Sequence, residues 1–231
     1  MLALIAEPAA AQQAPGIGHD RLVDALAAEA RLTEEFLAQL PLRSETELRK
    51  DADIVAEEAA CPGSIALMVE AMREPVLRAH VKAVKDYRAA LRGFLRTRLS
   101  EDDAAGAAAF FGSELGQRFV IASAGAQVTT QRDADVASSE TALVSETALA
   151  VDKEASLVRM HSAIEPLLLR EVNGVLSAAS WFPAFKAMQG DMIKLELILA
   201  NADLTAEDVA EIETRSTALM TTHFATCYAK K

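Results

Sequence analysis

Apolar side chains recur at three- and four-residue intervals along most of this chain, without sustained alternation of apolar and polar residues. The first pattern lays a stripe along one side of an α-helix; the second is what a half-buried strand needs. Valine and isoleucine are dispersed, and aromatic residues make up only 5% of the 231 positions, so strand formers are scarce as well. The expectation is an all-α fold, a multi-helix bundle of about eight to ten helices.

Residues 20–40 carry Leu22, Leu26, Ala30, Thr33, Leu37 and Leu40 at helical spacing, and Pro41 follows as a stop. Ser44 and Glu47 have capping-box spacing, which predicts a second, polar helix that ends before Cys61. Ser64 opens a third with Leu67, Met68, Ala71 and Met72, to be kinked or restarted at Pro75. The clearest stripe begins at Val76, where Leu77, Val81, Val84, Tyr87, Leu91, Phe94 and Leu95 share one face. Arg78, Lys82, Lys85, Arg92 and Arg96 lie mainly on the other, and with Arg73, Arg88 and Arg98 they form the strongly basic stretch of the chain. Two roles fit these cations: a solvated face balanced by acidic neighbours, or a site for an anion or partner.

Ser100 with Asp103 marks another helix start, Gly112 a break, and Ser113 the cap of a helix through Leu115, Phe119, Val120 and Ala122. Residues 127–132 are polar and read as a linker between an N-terminal half, 15–126, and a C-terminal half, 133–231. In the second half a long helix is expected over 133–165. Pro166 then restarts an apolar face through Leu168, Val172, Val175, Leu176 and Ala179 to a turn at Trp181, Phe182 and Pro183. A helix with Phe185, Met188, Met192, Leu195 and Leu199 follows, and Thr205 with Asp208 opens the last. The segment from Leu204 to Asp208 echoes the one from Leu99 to Asp103, which raises a degenerate repeat and two related halves as an expectation.

With 23 Lys+Arg against 34 Asp+Glu the formal net charge is −11, which argues against nucleic acid and anionic membrane surfaces as general partners. Residues 1–14 run from an apolar stub into small residues, with Ala9 and Ala11 at A-x-A spacing before Gln12, as at a signal-peptide cleavage site. They read as a remnant of a signal peptide or as a disordered alanine-rich leader; the expected location is periplasmic or secreted. No later segment approaches the roughly 18 uninterrupted apolar residues of a membrane-spanning helix. The two cysteines, Cys61 and Cys227, have no metal-site or redox-motif spacing. They are candidates for one long-range disulfide in an oxidising compartment, the alternative being buried free thiols.

Motifs with chemistry are missing from the sequence: there is no H-E-x-x-H, G-x-S-x-G, P-loop or dinucleotide fingerprint, and no cofactor or metal is expected. His19, His80, His161 and His223 are isolated from one another. Glu101, Asp102 and Asp103 lack the spaced oxygens of a calcium loop and suit a helix start instead. Trp181, Phe182 and Phe185 suit a core better than a pocket.

The stretch Leu99 to Asp103, followed by Phe110, Phe111, Gly112, Ser113, Glu114, Leu115, Gly116, Gln117, Arg118 and Phe119, is similar to a small exported bacterial family known as domain of unknown function 2059. Phe110, Ser113, Gly116 and Gln117 fit that family's pattern. Phe111 stands where tyrosine is usual, and Glu114 where proline is common. The resemblance covers residues 75–122 and implies a helical, exported domain without supplying catalytic residues. Physically, Phe110 and Phe111 suit a core, and Gly116 suits a close approach of two helix backbones.

The functional expectation is a non-enzymatic binding or interaction module that holds an unknown protein or envelope component in a groove between helices. One alternative is an enzyme with a composite site in which His80, His161 or His223 meets a carboxylate. Another is an amphipathic surface-coat protein built on residues 133–165.

Overall fold

The computed structural model describes residues 16–125, 145–147 and 164–229. Among these the chain is all-α, with no strand. The leader at 1–14, the linker at 127–132 and most of the helix expected over 133–165 lie outside the described residues.

The mast of the fold is α4, Ser64–Arg98, of 35 residues. Packed on it are α1 (Ile17–Leu26), α2 (Glu29–Leu48), α3 (Ala52–Ala60), α9 (Gln189–Ala200) and α10 (Ala206–Tyr228). Its stripe does what its spacing predicts: Val84, Leu91 and Leu95 are fully buried and Tyr87 nearly so. Burying each leucine contributes about 2 kcal/mol. Most cations of the opposite face meet acids on other helices. Arg92 reaches Asp20 at 2.7 Å, Arg88 reaches Asp24 at 2.5 Å, and Arg98 reaches Asp191 at 2.9 Å. Arg78 sits 2.8 Å from Asp208 and 2.5 Å from Glu211. The basic stretch is thus a balanced face that clips α1, α9 and α10 to the mast.

Helix α5, Glu101–Phe111, lies against α1, and small residues set their separation. Ala104 and Ala107 are fully buried, and a Cβ on Gly18 would stand 2.8 Å from the Glu101 carbonyl. After α5 come α6 (Glu114–Gly125), α7 (Pro166–Ala178) and α8 (Phe182–Ala187). Leu168, Val172 and Leu176 turn inward from α7. One buried cluster joins Leu22 and Val23 of α1, Leu91 and Leu95 of α4, and Val172 of α7. Its aromatic residues include Phe110, Phe111, Trp181 and Phe185, which pack together; Phe111 and Phe185 have ring centroids 5.3 Å apart, and Gly106 leaves room for the Trp181 indole.

Several boundaries differ from the sequence reading. The helix expected over 20–40 breaks at Ala27 and Ala28 because α1 must face α5 while α2 lies on α4. Arg31 donates to the Leu26 carbonyl at 2.5 Å and Arg88 donates to the Ala27 carbonyl, so the freed carbonyls keep partners. Pro41 does not stop α2, which carries it inside the helix. Leu40 and Ser44 are buried on either side of it, and their packing outweighs a local cost of about 3 kcal/mol. Ser44 is therefore no cap; Asp51 is, its carboxylate accepting from the amides of Asp53 at 2.8 Å and Ile54 at 3.3 Å. Pro75 likewise sits buried inside an uninterrupted α4. The turn expected at Trp181 to Pro183 falls at Ser180 and Trp181; Phe182 and Pro183 already belong to α8, and α9 follows it separately. Asn173 and Gly174, a pair that favours hairpins, lie within α7 because the buried residues around them repeat at helical spacing.

The remaining caps fall where the spacing puts them. Ser100 accepts from the Asp103 amide at 3.1 Å, and Thr205 with Asp208 forms a reciprocal capping box.

Candidate functional site

A cleft of about 430 Å³ opens between α2, α3 and α4. Helix α2 supplies Leu37, Leu40 and Pro41 to its floor, and α4 supplies Ile65 and Val69. The rim is charged but largely self-paired: Arg49 holds Glu45 at 2.7 Å, and Arg73 stands 3.8 Å from Glu70. Each pair lies on one helix, three or four residues apart, so these charges frame the opening.

Glu58 is the lining residue that α3 contributes. Its carboxylate accepts from the Gly63 amide at 3.0 Å and the Ile65 amide at 2.9 Å. Those two amides, Gly63 foremost, hold the Glu58 carboxyl below the usual carboxylate range; burial opposes them and Arg49 assists. The fold thus keeps an ionised group at the cleft wall by spending it on the turn between α3 and α4.

That turn is built around Cys61. A disulfide joins Cys61 to Cys227 across 166 positions, with a Cα–Cα distance of 5.9 Å. The Ser64 hydroxyl donates to the Cys61 carbonyl at 2.7 Å, and His223 Nε2 donates to the same oxygen at 3.4 Å. Gly63 has φ of 103°, a left-handed conformation that a side chain would strain.

The described histidines, His19, His80 and His223, serve as struts. His80 stacks on Phe36 with centroids 3.8 Å apart and donates to the Leu32 carbonyl at 3.3 Å. Burial pushes its imidazole below the ordinary range, with Arg43 adding to the effect. Neither His80 nor His223 has a carboxylate partner among the described residues, and His161 lies outside them. Among the described residues the histidine that does meet a carboxylate is His19: Nδ1 lies 2.7 Å from Glu101 Oε2, and Nε2 donates to the Leu99 carbonyl at 3.1 Å. Glu101 also accepts from the amides of Gly16 and Gly18; the Gly18 amide foremost, then His19 and the Gly16 amide, hold its carboxyl below the usual range against the opposing effect of burial. Both ring nitrogens of His19 are engaged, so this cluster clasps α1 onto α5. The pairing was hidden in the sequence because its members stand 82 positions apart.

The family-like motif forms the corner between α5 and α6. Phe110 and Phe111 are buried. Ser113 accepts from the Gly116 amide at 3.1 Å and donates to the Phe110 carbonyl at 2.6 Å, while Gln117 donates to the Phe111 carbonyl at 2.5 Å. A Cβ on Gly116 would lie 2.0 Å from the Phe110 oxygen, so only glycine fits. Trp181 and Phe185 belong to the core beside this corner.

Among the described residues no group of three or more His, Cys, Asp or Glu is arranged to hold a metal ion, and no helix is long and apolar enough to cross a membrane. The residues behind the surface-coat alternative, 133–165, lie mostly outside the described residues. Compared with protein-family models, curated proteins and solved structures, the chain matches none.

Proposed function

We propose that this chain is an exported, non-enzymatic helical binding protein that takes the apolar portion of an envelope component in the cleft between α2, α3 and α4. The observation that carries the reading is the cleft itself: an apolar floor of ligand size beneath a rim whose arginines are paired along their own helices. Such a site gains affinity from burying apolar surface and leaves the charged rim for the polar end of an amphipathic molecule. Two features support export. The Cys61–Cys227 disulfide is of a kind that persists in oxidising compartments. The similarity of residues 75–122 to the exported domain of unknown function 2059 points the same way, and here its motif builds a structural corner.

Titration with the neutral fluorescent probe N-phenyl-1-naphthylamine tests binding. Wild type is expected to show saturable, single-site, blue-shifted fluorescence, and Val69→Arg, which places a long cation on the floor, to weaken it about tenfold or more. Absence of saturation, or a Val69→Arg variant that is folded by circular dichroism and binds as wild type does, would refute the cleft. Export is tested by intact mass from the native host. A chain beginning at Gln12 that gains about two daltons on reduction is expected of a disulfide-bonded exported protein. A full-length chain unchanged by reduction would place the protein elsewhere.

A further inference from the structure

We propose that the Cys61–Cys227 disulfide is a redox latch on the cleft: formed, it fixes the wall that α3 contributes, and cleaved, it releases that wall while the rest of the bundle stays folded. The ligand consequence rests on the cleft reading above; the mechanical consequence does not.

Helix α3 has little else to hold it. None of its residues is buried and its packing on α4 is lighter than that of its neighbours, so the holds at its ends, the Asp51 cap and the Cys61 turn, weigh most in placing it. At the second end the covalent and polar holds converge. Cys61 is fully buried, and its carbonyl receives the Ser64 hydroxyl and His223 of α10. Two residues further on, the Gly63 amide is taken by Glu58, which also takes the Ile65 amide. Glu58 and Ile65 both line the cleft. One short turn therefore connects the sulfur bridge to the cleft wall through hydrogen bonds, with no intervening flexible segment.

The other side of the latch is divided in the same way. The N-terminal part of α10 is fastened to α4 by Arg78 with Asp208 and Glu211, and by Arg215 with Glu74. Those pairs do not involve the cysteines, so they survive reduction. Beyond them the final turns, which carry His223 and Cys227, have the disulfide as their covalent tie to the turn at Cys61. Cys227 is half-buried and Cys61 is not exposed, so a thiolate from solvent meets the Cys227 sulfur first. Attack there forms a mixed disulfide and expels the Cys61 thiolate, which takes a proton. The second thiol of a dithiol reductant then displaces Cys227, leaving two protein thiols and the oxidised reductant.

Hydrogen exchange read by mass spectrometry on the full chain, with and without dithiothreitol, tests the latch, and naphthylamine titration of both forms tests its effect on the cleft. Faster exchange on reduction is expected in residues 51–66 and 216–229, with the segments of α1 and α5 unchanged, and the probe affinity is expected to change at least threefold. Cys61→Ser with Cys227→Ser should reproduce the reduced pattern. Glu58→Gln, with the disulfide intact, should quicken exchange in residues 61–66 alone. Unchanged exchange in 51–66 overturns the latch even where the probe binds. Loss of the far-ultraviolet helical signal in the double serine variant overturns it too, because the bond would then hold the whole fold. Local exchange changes with no probe binding in the oxidised form support the latch and refute the cleft.

Discussion

At Gly116 the allowed side chain is set by one oxygen atom. The Phe110 carbonyl stands 2.0 Å from where a Cβ would go, and the backbone of an α5–α6 corner has little freedom to retreat. Gly116→Ala is expected to destabilise by about 1–3 kcal/mol in denaturant unfolding, as overpacking does. Gly93, exposed in α4 with nothing within 4 Å of its Cβ position, is the control. There alanine is expected to add about 0.5–1 kcal/mol by favouring the helix. A second single-residue effect belongs to His80. Burial lowers its folded pKa, so as the pH falls the unfolded chain takes up the proton first. This contribution to stability is full above the unfolded value of about 6.5 and is lost as the pH drops below it toward the folded value. His80→Phe keeps a ring against Phe36 and should remove that part of the slope in a melting-temperature series between about pH 7 and 5.

Helices here are placed by charge as well as by apolar stripes. The basic side of α4 was visible as a run of cations, and the acids that answer it were visible only as a negative balance; their pairing needed the fold. Asp20 with Arg92 is the pair that best reports the docking of α1, at 2.7 Å with both side chains partly exposed. A double-mutant cycle with Asp20→Asn and Arg92→Gln is expected to give a coupling of about 0.2–1 kcal/mol. Near 1 M salt that coupling should shrink toward zero, since the Debye length falls to about 3 Å. Element ends show the same division. Ser100, Thr205 and Ser113 were legible because a cap needs only a side chain and amides two or three residues away. Pro41 and Pro75 misled because each is a local helix breaker overruled by buried neighbours.

For the molecule as a whole, the longest covalent constraint is the bridge over 166 positions. Closing so long a loop restricts the unfolded chain, and the loop-closure model puts the stabilisation at about 5 kcal/mol. Reduction should therefore lower the melting temperature by about 10–20 °C in a chain of this size, read by circular dichroism with and without dithiothreitol. A shift of only a few degrees would show that the unfolded chain is already compact or that the bridge strains the native state. The core offers no second staple of this kind: its buried cluster draws on α1, α4, α5, α7 and α8 together, so the expected N-terminal and C-terminal halves share it. The cleft was illegible in the sequence for a related reason. Leu37, Glu58 and Val69 each read as an ordinary helix residue, and they become a site only when α2, α3 and α4 converge.

The sequence alone determined the all-α class, the caps at Ser100 and Thr205, the inward face of α4 and the motif residues of the α5–α6 corner. Each of these depends on residues within a few turns of one another, where helical periodicity and backbone hydrogen bonding act directly. Tertiary structure decided the rest: that Pro41 lies inside a helix, that His19 meets Glu101, that Cys61 meets Cys227, and that a cleft stands beside their bridge. Such features depend on contacts between segments far apart in the chain, whose energies no local pattern records.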